Sequence, residues 1–213
     1  MRRIRRVIGI SFYLFLGITL RWSARGSALL ERMGPRRRPA PMHAAGAMIH
    51  VRRVSDLSRY ARLRIWLWIA LGHQWRTRWA AFDWYVTAEI DERVVSAAGI
   101  VDRRGAVGGV PAHLALLGGV FTAPEHRRRG LASDVVRRST ETITNELDCD
   151  FGVLMCRREL VPFYERLGWR YVSNHLEFVR FGKPGRYDGP IMVCECAGRS
   201  LPAGPIDVMG LPV

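Results

Sequence analysis

The residues best suited to chemistry lie in one stretch, residues 120–132, which reads VFTAPEHRRRGLA. The pattern predicts a strand, a turn rich in arginine, and then a helix. The first N–H groups of a helix have no partner within the helix, and the helix dipole is positive there, so this turn is suited to bind a pyrophosphate. Gly130 lets the backbone approach a phosphate without a Cβ in the way. The neighbouring residues supply charge, small size and a hydroxyl donor: Arg127, Arg128, Arg129, Ala132 and Ser133.

Hydrophobic periodicity predicts the elements that position this turn. Gly118 and Gly119 interrupt the strand that leads to it, which indicates a β-bulge or the close approach of a ligand. The tail to Val213 is rich in glycine and proline, and no element is predicted there. The predicted strands are 49–54, 84–90, 93–103, 110–122, 151–156, 169–172, 177–181 and 190–196. The predicted helices are one capped by Ser55-Asp56 and running to residue 71, and those at 131–147 and 160–167.

The spacing Arg127-x-x-Gly130-x-Ala132 resembles the acyl-CoA signature R/Q-x-x-G-x-G/A of the GNAT superfamily of N-acetyltransferases. An apolar strand follows about twenty residues later, and residues 163–170 (FYERLGWR) look like the superfamily's second motif, F-Y-x-x-L-G-F/W. The resemblance covers roughly residues 48–196. It implies an α/β fold of three layers, in which helices flank a mixed β-sheet that is splayed between the strand ending at Thr122 and the strand at 151–156.

The same resemblance implies acetyl-CoA as the co-substrate and no metal. Pantetheine would lie between the splayed strands, and Tyr164 would protonate the leaving thiolate while the acceptor amine attacks the thioester directly. A phenol has a pKa of about 10, so it is protonated at neutral pH and can act as an acid. The implied cofactor contacts are the backbone of Val120, Phe121 and Thr122 for pantetheine, and Arg127, Arg128, Arg129, Gly130, Leu131, Ala132 and Ser133 for the pyrophosphate.

The general base is the weakest part of the pattern, because the strand before the turn carries no carboxylate. His113 on that strand is the catalytic candidate, since an imidazole has a pKa of about 6.5. The other candidates are Asp83, Glu89, Glu159 and Asp207, and the remaining possibility is water or no base at all.

The acceptor side is similar to the aminoglycoside 2'-N-acetyltransferase-like group. The similarity lies in the predicted strand order, in the run L-G-G-V at 117–120, and in the tail residues 188–189 and 206–208. It implies that Asp207 contacts a cationic acceptor, and Glu89 and Trp84 are the further predicted acceptor contacts. Five of the seven tryptophans fall within nineteen residues, where they could hold a cationic acceptor or pack helices onto the sheet. These tryptophans are Trp66, Trp68, Trp75, Trp79 and Trp84.

Charge divides the chain into two predicted parts. The net charge of +14 points to nucleic acid, a membrane surface or an acidic ligand. Residues 1–47 hold ten arginines and one acid, so they carry +9, and the remaining 166 residues carry only +5. The apolar run 7–20 spans about 21 Å as a helix, short of a hydrocarbon core of about 30 Å. We expect residues 1–47 to be an extension outside the fold and 48–213 to be the catalytic domain.

Three origins of the extension stay open: an export signal, a short membrane anchor, or translation from a start assigned too early. Because acetyl-CoA is a cytosolic molecule, we expect a cytoplasmic protein without stable membrane insertion. The predicted partner is a small-molecule amine and not nucleic acid, and a homodimer is left open.

Cysteine spacing argues against a zinc site. The four cysteines form no C-x-x-C pair, which indicates reduced, buried thiols. Two other functions compete with the acetyltransferase: a non-catalytic acyl-CoA-binding sensor, and a basic protein associated with nucleic acid or membranes.

Overall fold

The computed structural model describes residues 47–72, 80–196 and 198–213. The predicted extension, residues 1–47, lies outside these residues except for Ala47. The strands are β1 (Met48–Arg53), β2 (Trp84–Ile90), β3 (Arg93–Val107), β4 (Val110–Thr122), β5 (Phe151–Met155), β6 (Arg170–Val172), β7 (Leu176–Arg180), β8 (Lys183–Tyr187), β9 (Ile191–Glu195) and β10 (Ile206–Asp207). The helices are α1 (Arg59–Gly72), α2 (Leu131–Asn145) and α3 (Val161–Glu165), with short 3-10 turns at Val54–Asp56, Pro124–His126 and Arg158–Leu160.

The described strands form one mixed sheet, as predicted. Its order is β6-β9-β5-β4-β3-β10-β7-β8, and β2 and β1 extend it from β3. The pairs β4–β5 and β10–β7 are parallel, and the other pairs are antiparallel. The long strand β3 is central, because its first part pairs with β2, its last part with β10, and its other edge with β4.

Helices pack on both faces of the sheet and complete the three layers. Helix α2 buries Leu131, Val135 and Ile143 in one core with β2 and β3 residues such as Val86 and Val95. Helix α1 buries Ile65 in another core, where it packs with Leu57, Val94 and Ala97. Consecutive residues of a strand point to opposite faces, so β3 supplies both layers. Each fully buried aliphatic side chain contributes about 1.5–3 kcal/mol to stability.

The N-terminal cap of α1 differs from the prediction. Ser58 Oγ accepts the N–H of Ala61 at 3.1 Å, and α1 begins at Arg59. Ser55 and Asp56 belong instead to the 3-10 turn, so the prediction that they cap the helix was wrong. Ser55 and Ser58 are three residues apart, and each is followed by a polar residue, so the sequence offers two similar capping signals. Leu57, between them, is buried in the same core as Ile65 of α1.

The glycine-rich tail is part of the fold. Ile206 and Val208 are fully buried, and Arg103 Nη1 donates to the carbonyls of Val208 (3.2 Å) and Leu211 (3.0 Å). Strand β10 lies between β3 and β7, and β8 pairs with β7. The sequence analysis predicted neither β8 nor β10.

Candidate functional site

Two neighbouring parallel strands separate in the middle of the sheet. Strands β4 and β5 pair only at Leu114–Leu116 with Phe151–Val153. Strand β4 then continues along β3 to Thr122, while β5 continues along β9 to Met155. The gap between β4 and β5 is the splay that the family resemblance implies. Among the described residues, no strand pairs with this edge of β4 beyond Leu116.

The glycine pair in β4 accounts for the local shape of that edge. The register between β3 and β4 shifts between Ala97 and Gly99, and Gly119 has φ +60°, so the predicted bulge is confirmed. A Cβ on Gly118 would lie 2.9 Å from the Cβ of Val213. The close approach at Gly118 is therefore made by the tail of the chain.

Ser96 of β3 fixes the end of β4. Its Oγ donates to the carbonyl of Phe121 at 2.7 Å and lies 2.8 Å from Thr122 Oγ1. Arg127 Nε donates to the carbonyl of Thr122 at 3.1 Å. The carbonyls of Phe121 and Thr122, which are expected to pair with pantetheine, thus already accept a hydrogen bond from the protein. Each carbonyl oxygen has a second lone pair and can accept another hydrogen bond. Sequence analysis missed Ser96, because its importance depends on the register of β3 against β4.

The turn before α2 has the conformation that an anion site needs. Gly130 is the N-cap residue with φ +82°, and no side chain caps the helix. A Cβ on Gly130 would meet no atom of the described residues within 4 Å, so the space beside Gly130 is open among them. Arg128 also has a positive φ, +61°. The exposed N–H groups of the first helical turn, together with the helix dipole, create a positive potential there.

Three consecutive arginines of the turn precede this helix N-terminus in the chain. Arg127, Arg128 and Arg129 are all exposed. Arg129 Nη1 lies 3.1 Å from His126 Nδ1. Leu131 is buried in the core while Ala132 and Ser133 are half-buried at the start of α2. The structure therefore brings the whole predicted phosphate-binding set to one turn at the end of β4.

Tyr164 follows β5, the strand that borders the gap opposite β4. It belongs to α3, which follows the end of β5, and its side chain is buried in the same core as Leu131 and Leu154. Its ring meets that of Phe163 edge-on, with centroids 5.0 Å apart. Burial raises the pKa of Tyr164 to about 12, because phenolate is poorly solvated there. At neutral pH Tyr164 is consequently a proton donor.

Cys156 is near Tyr164 but is poorly suited to act as a nucleophile. It is buried after the end of β5, and burial raises the pKa of its thiol to about 11. A thiol with that pKa holds very little thiolate at neutral pH. All four cysteines are free and buried, in agreement with the sequence analysis.

His113 and Asp207 lie away from the gap. His113 is at the start of β4, about 17 Å along the strand from Gly118. Its Nε2 contacts Asp102 Oδ1, and its Nδ1 lies 3.1 Å from the carbonyl oxygen of Asp148. Asp207 is in β10, where its carboxylate accepts the N–H of Met209 at 2.8 Å. The structure does not bring these two residues together with Tyr164.

The remaining carboxylates proposed as bases or acceptor contacts have partners within the protein. Glu89 is paired with Arg52 and accepts a bond from Thr87 Oγ1 at 2.8 Å. Asp83 accepts the N–H of Asp102 at 2.9 Å. Glu159 is exposed and lies 3.3 Å from Arg157. Each of these three carboxylates therefore has a partner in the protein, and none is an unpaired candidate for the general base.

The tryptophans divide between packing and surface. Trp68 is buried and stacks on Phe121 at 5.8 Å, so it supports the end of β4. Trp84 is half-buried in β2, and the guanidinium of Arg53 lies 4.6 Å from its ring. Trp66 is 47% exposed. Trp75 and Trp79 lie outside the described residues.

Within residues 47–72, 80–196 and 198–213, no helix has the length and apolar character required to span a bilayer. The apolar run at 7–20 is not among these residues.

Comparison with known proteins agrees with this geometry. The model of the family described as acetyltransferase (GNAT) domain matches residues 69–172. The structure of ElaA from Escherichia coli is similar, with a TM-score of 0.51 and 17% identity over 70% of this chain and 99% of that chain. The GNAT family N-acetyltransferase YhbS from Escherichia coli, solved in complex with CoA, has a TM-score of 0.51 and 16% identity over 79% of this chain and 92% of that chain.

No curated protein sequence matches the chain. The fold is therefore identified from the match to the family model and from the similarity to solved structures. The described chain has the GNAT fold, and residues 69–172 match the acetyltransferase domain of that family.

Proposed function

We propose that the chain is an acetyl-CoA-dependent N-acetyltransferase that transfers the acetyl group to a primary amine of a small molecule. The observation that carries the proposal is the gap between β4 and β5. The uncapped N-terminus of α2 follows β4 in the chain, and the helix with Tyr164 follows β5. That YhbS was solved with CoA supports the same co-substrate for this chain.

Two parts of acetyl-CoA would bind to two parts of the chain, the pyrophosphate to the positively charged turn and the pantetheine arm to the backbone of β4. The pyrophosphate would accept hydrogen bonds from the turn 127–133, where the helix dipole and three exposed arginines favour negative charge. The pantetheine arm would lie along the free edge of β4 at Val120, Phe121 and Thr122, and would fill the place of a missing strand. This arrangement directs the thioester into the gap, towards Tyr164.

The reaction needs two proton transfers and no covalent enzyme intermediate. The neutral amine attacks the thioester carbonyl, a C–N bond forms, and the C–S bond breaks. Tyr164 donates its proton to the departing sulfur, and the acceptor nitrogen loses one proton. Since Asp83, Glu89 and Glu159 have partners in the protein, and His113 lies about 17 Å along β4 from Gly118, we propose that water takes this proton.

For the acceptor we propose an extended polyamine of the kind suggested by the resemblance to the aminoglycoside 2'-N-acetyltransferase-like group. Asp207 pairs with Ala106, which pairs with Pro111 at the start of β4. An acceptor that touches Asp207 and also reaches the gap, which begins beyond Leu116, would span about 17 Å or more. Glu89 and Trp84 lie in β2 and are proposed as secondary contacts at the acceptor side.

A panel of amines tests the proposed function. Thiol release from acetyl-CoA should depend on an added amine, and mass spectrometry should show one acetyl group on that amine. Extended polyamines and aminoglycosides should give a higher kcat/KM than short monoamines. The matched variant Asp207→Asn should remove that preference and leave the rate with short amines unchanged. Equal rates with long and short amines in both proteins would contradict the acceptor class.

A non-catalytic acyl-CoA sensor is a second candidate. It is favoured by one observation, namely that β4 carries no carboxylate between Val110 and Thr122. The same panel separates the two candidates, because a sensor would bind acetyl-CoA and release no thiol with any amine. Either function places the domain in the cytoplasm, where acetyl-CoA is found, with no role for nucleic acid.

A further inference from the structure

Three potential metal ligands meet at the end of the sheet away from the gap. They are Asp102 of β3, His113 of β4, and Cys149 of the segment between α2 and β5. One ligand atom from each lies within 4.8 Å of the other two. The cluster is a consequence of strand register: Asp102 pairs with Ala115 and His113 with Arg104, so the two residues are diagonal neighbours on one face.

The imidazole of His113 is oriented by a backbone carbonyl and faces Asp102. His113 Nδ1 lies 3.1 Å from the carbonyl oxygen of Asp148, which can only accept, so Nδ1 carries a hydrogen. The second ring nitrogen, Nε2, directly faces Asp102 Oδ1. Imidazole nitrogen and carboxylate oxygen are both common ligands of divalent metal ions.

The backbone at Asp148 maintains this orientation. Asp148 has φ +48°, in the left-handed region that non-glycine residues seldom occupy. Asp150 holds the same segment, because its Oδ2 accepts the N–H of His113 at 2.7 Å and its Oδ1 lies 3.0 Å from Arg199 Nη1. A backbone carbonyl that receives Nδ1–H is the usual support for a histidine that binds metal through Nε2.

Cys149 adds a third donor to the pair of His113 and Asp102. An ion pair of two residues needs no third partner, whereas a metal ion needs further ligands. Cys149 supplies one, and its sulfur is buried, with 3% of the residue exposed. Thiolate, imidazole and carboxylate together form a donor set typical of Zn²⁺, with bond lengths of about 2.0–2.3 Å. At a tetrahedral angle, such bonds set two ligand atoms about 3.3 Å apart. Ion binding would therefore have to separate His113 Nε2 from Asp102 Oδ1, which are in direct contact in the structure.

We propose that Asp102, His113 and Cys149 bind one Zn²⁺ ion, or a divalent ion of similar softness, with a fourth position open to water. The solvent side is provided by Asp102, whose side chain is 34% exposed, while that of His113 is 17% exposed. The ion would join β3, β4 and the start of β5 at a place about 17 Å from the acetyl-transfer gap. The sequence does not indicate this site, because it contains no C-x-x-C pair and the three ligands are distant from one another in sequence.

The test uses the full chain after treatment with a chelator. Zn²⁺ is titrated in competition with a chromophoric chelator, and one ion per chain should bind. Cys149→Ser and Asp102→Asn should each weaken that binding by more than about 100-fold, beyond the loss typical for an outer-shell partner. Cys156→Ser is the matched control, because Cys156 is also a buried free thiol but is not in the cluster, and its affinity should equal that of the parent.

Binding of Co²⁺ gives a spectroscopic signal that appears only if Cys149 is a metal ligand and not merely a buried structural residue. Co²⁺ bound at the site should show a thiolate-to-metal charge-transfer absorption, which disappears in Cys149→Ser and persists in Cys156→Ser. Asp102→Asn changes a partly exposed side chain, so it keeps the test decisive if Cys149→Ser does not fold. Failure to bind one Zn²⁺ ion, or equal binding by the parent, Cys149→Ser and Asp102→Asn, would overturn the proposal.

Discussion

Tyr164→Phe is expected to lower kcat by about 10²–10⁴-fold, the usual contribution of a positioned general acid. The substitution removes only the hydroxyl from a side chain that is 6% exposed, so the core around it should keep its packing. The KM for acetyl-CoA should stay within about threefold of the parent value, because the proposed phosphate and pantetheine contacts lie elsewhere. Steady-state kinetics with the best amine of the panel measures both constants.

Tyr171→Phe is the matched control for that substitution. Tyr171 is 45% exposed on β6, and it should lose its hydroxyl without a change in kcat. If Tyr164→Phe keeps more than a third of the parent kcat, Tyr164 is not the acid.

The pH dependence provides a second readout of the same residue. Burial raises the pKa of Tyr164 to about 12, compared with about 10 in an unfolded chain. The acid is therefore fully protonated below pH 10 and is lost only as the pH rises through 12. No decrease in kcat up to pH 10 should come from Tyr164. A basic limb near pH 8 that vanishes in Tyr164→Phe would contradict the assignment.

Gly130→Ala is expected to weaken acetyl-CoA binding by at least tenfold. Gly130 has φ +82°, where an L-residue costs about 1–2 kcal/mol. The added methyl group would also enter the open space in front of α2, where the pyrophosphate is proposed to lie. Calorimetric titration with acetyl-CoA measures the effect directly.

Gly109→Ala separates backbone strain from loss of the site. Gly109 has φ +81° at the turn between β3 and β4, and a Cβ there would also meet no atom within 4 Å. Both variants should lose similar stability in a denaturant titration. Only Gly130→Ala should lose affinity for acetyl-CoA, and equal affinities in the two variants would contradict the phosphate assignment.

Local patterns were sufficient to predict the parts of the site that are continuous in sequence. The turn 127–133 carries its own strand end, glycine and helix start, so its structure follows from neighbouring residues. Strands β2 and β4 were predicted with the bounds that the structure has, because each alternates or runs apolar between clear turn signals. The second motif located Tyr164 on its short helix in the same way.

Features that depend on long-range pairing could not be predicted. Strand β8 contains Pro184 and Gly185, which are poor strand formers, and it is ordered by pairing with β7. Strand β10 has two residues and exists because β3 and β7 are both beside it. The general base was uncertain for a related reason: a lone histidine in a strand pattern does not reveal which end of the sheet it occupies.

The central claim is that acetyl-CoA binds with its pyrophosphate on the turn before α2. Thermal unfolding of the full chain, with acetyl-CoA and with acetyl-pantetheine, tests it most directly. At a hundred times its Kd, acetyl-CoA should stabilise the chain by about 2.7 kcal/mol, which corresponds to an increase in Tm of roughly 5–10 °C. At the same concentration, acetyl-pantetheine should give a much smaller increase, because it lacks the pyrophosphate. An unchanged Tm with acetyl-CoA, or equal increases with both compounds, would contradict the account.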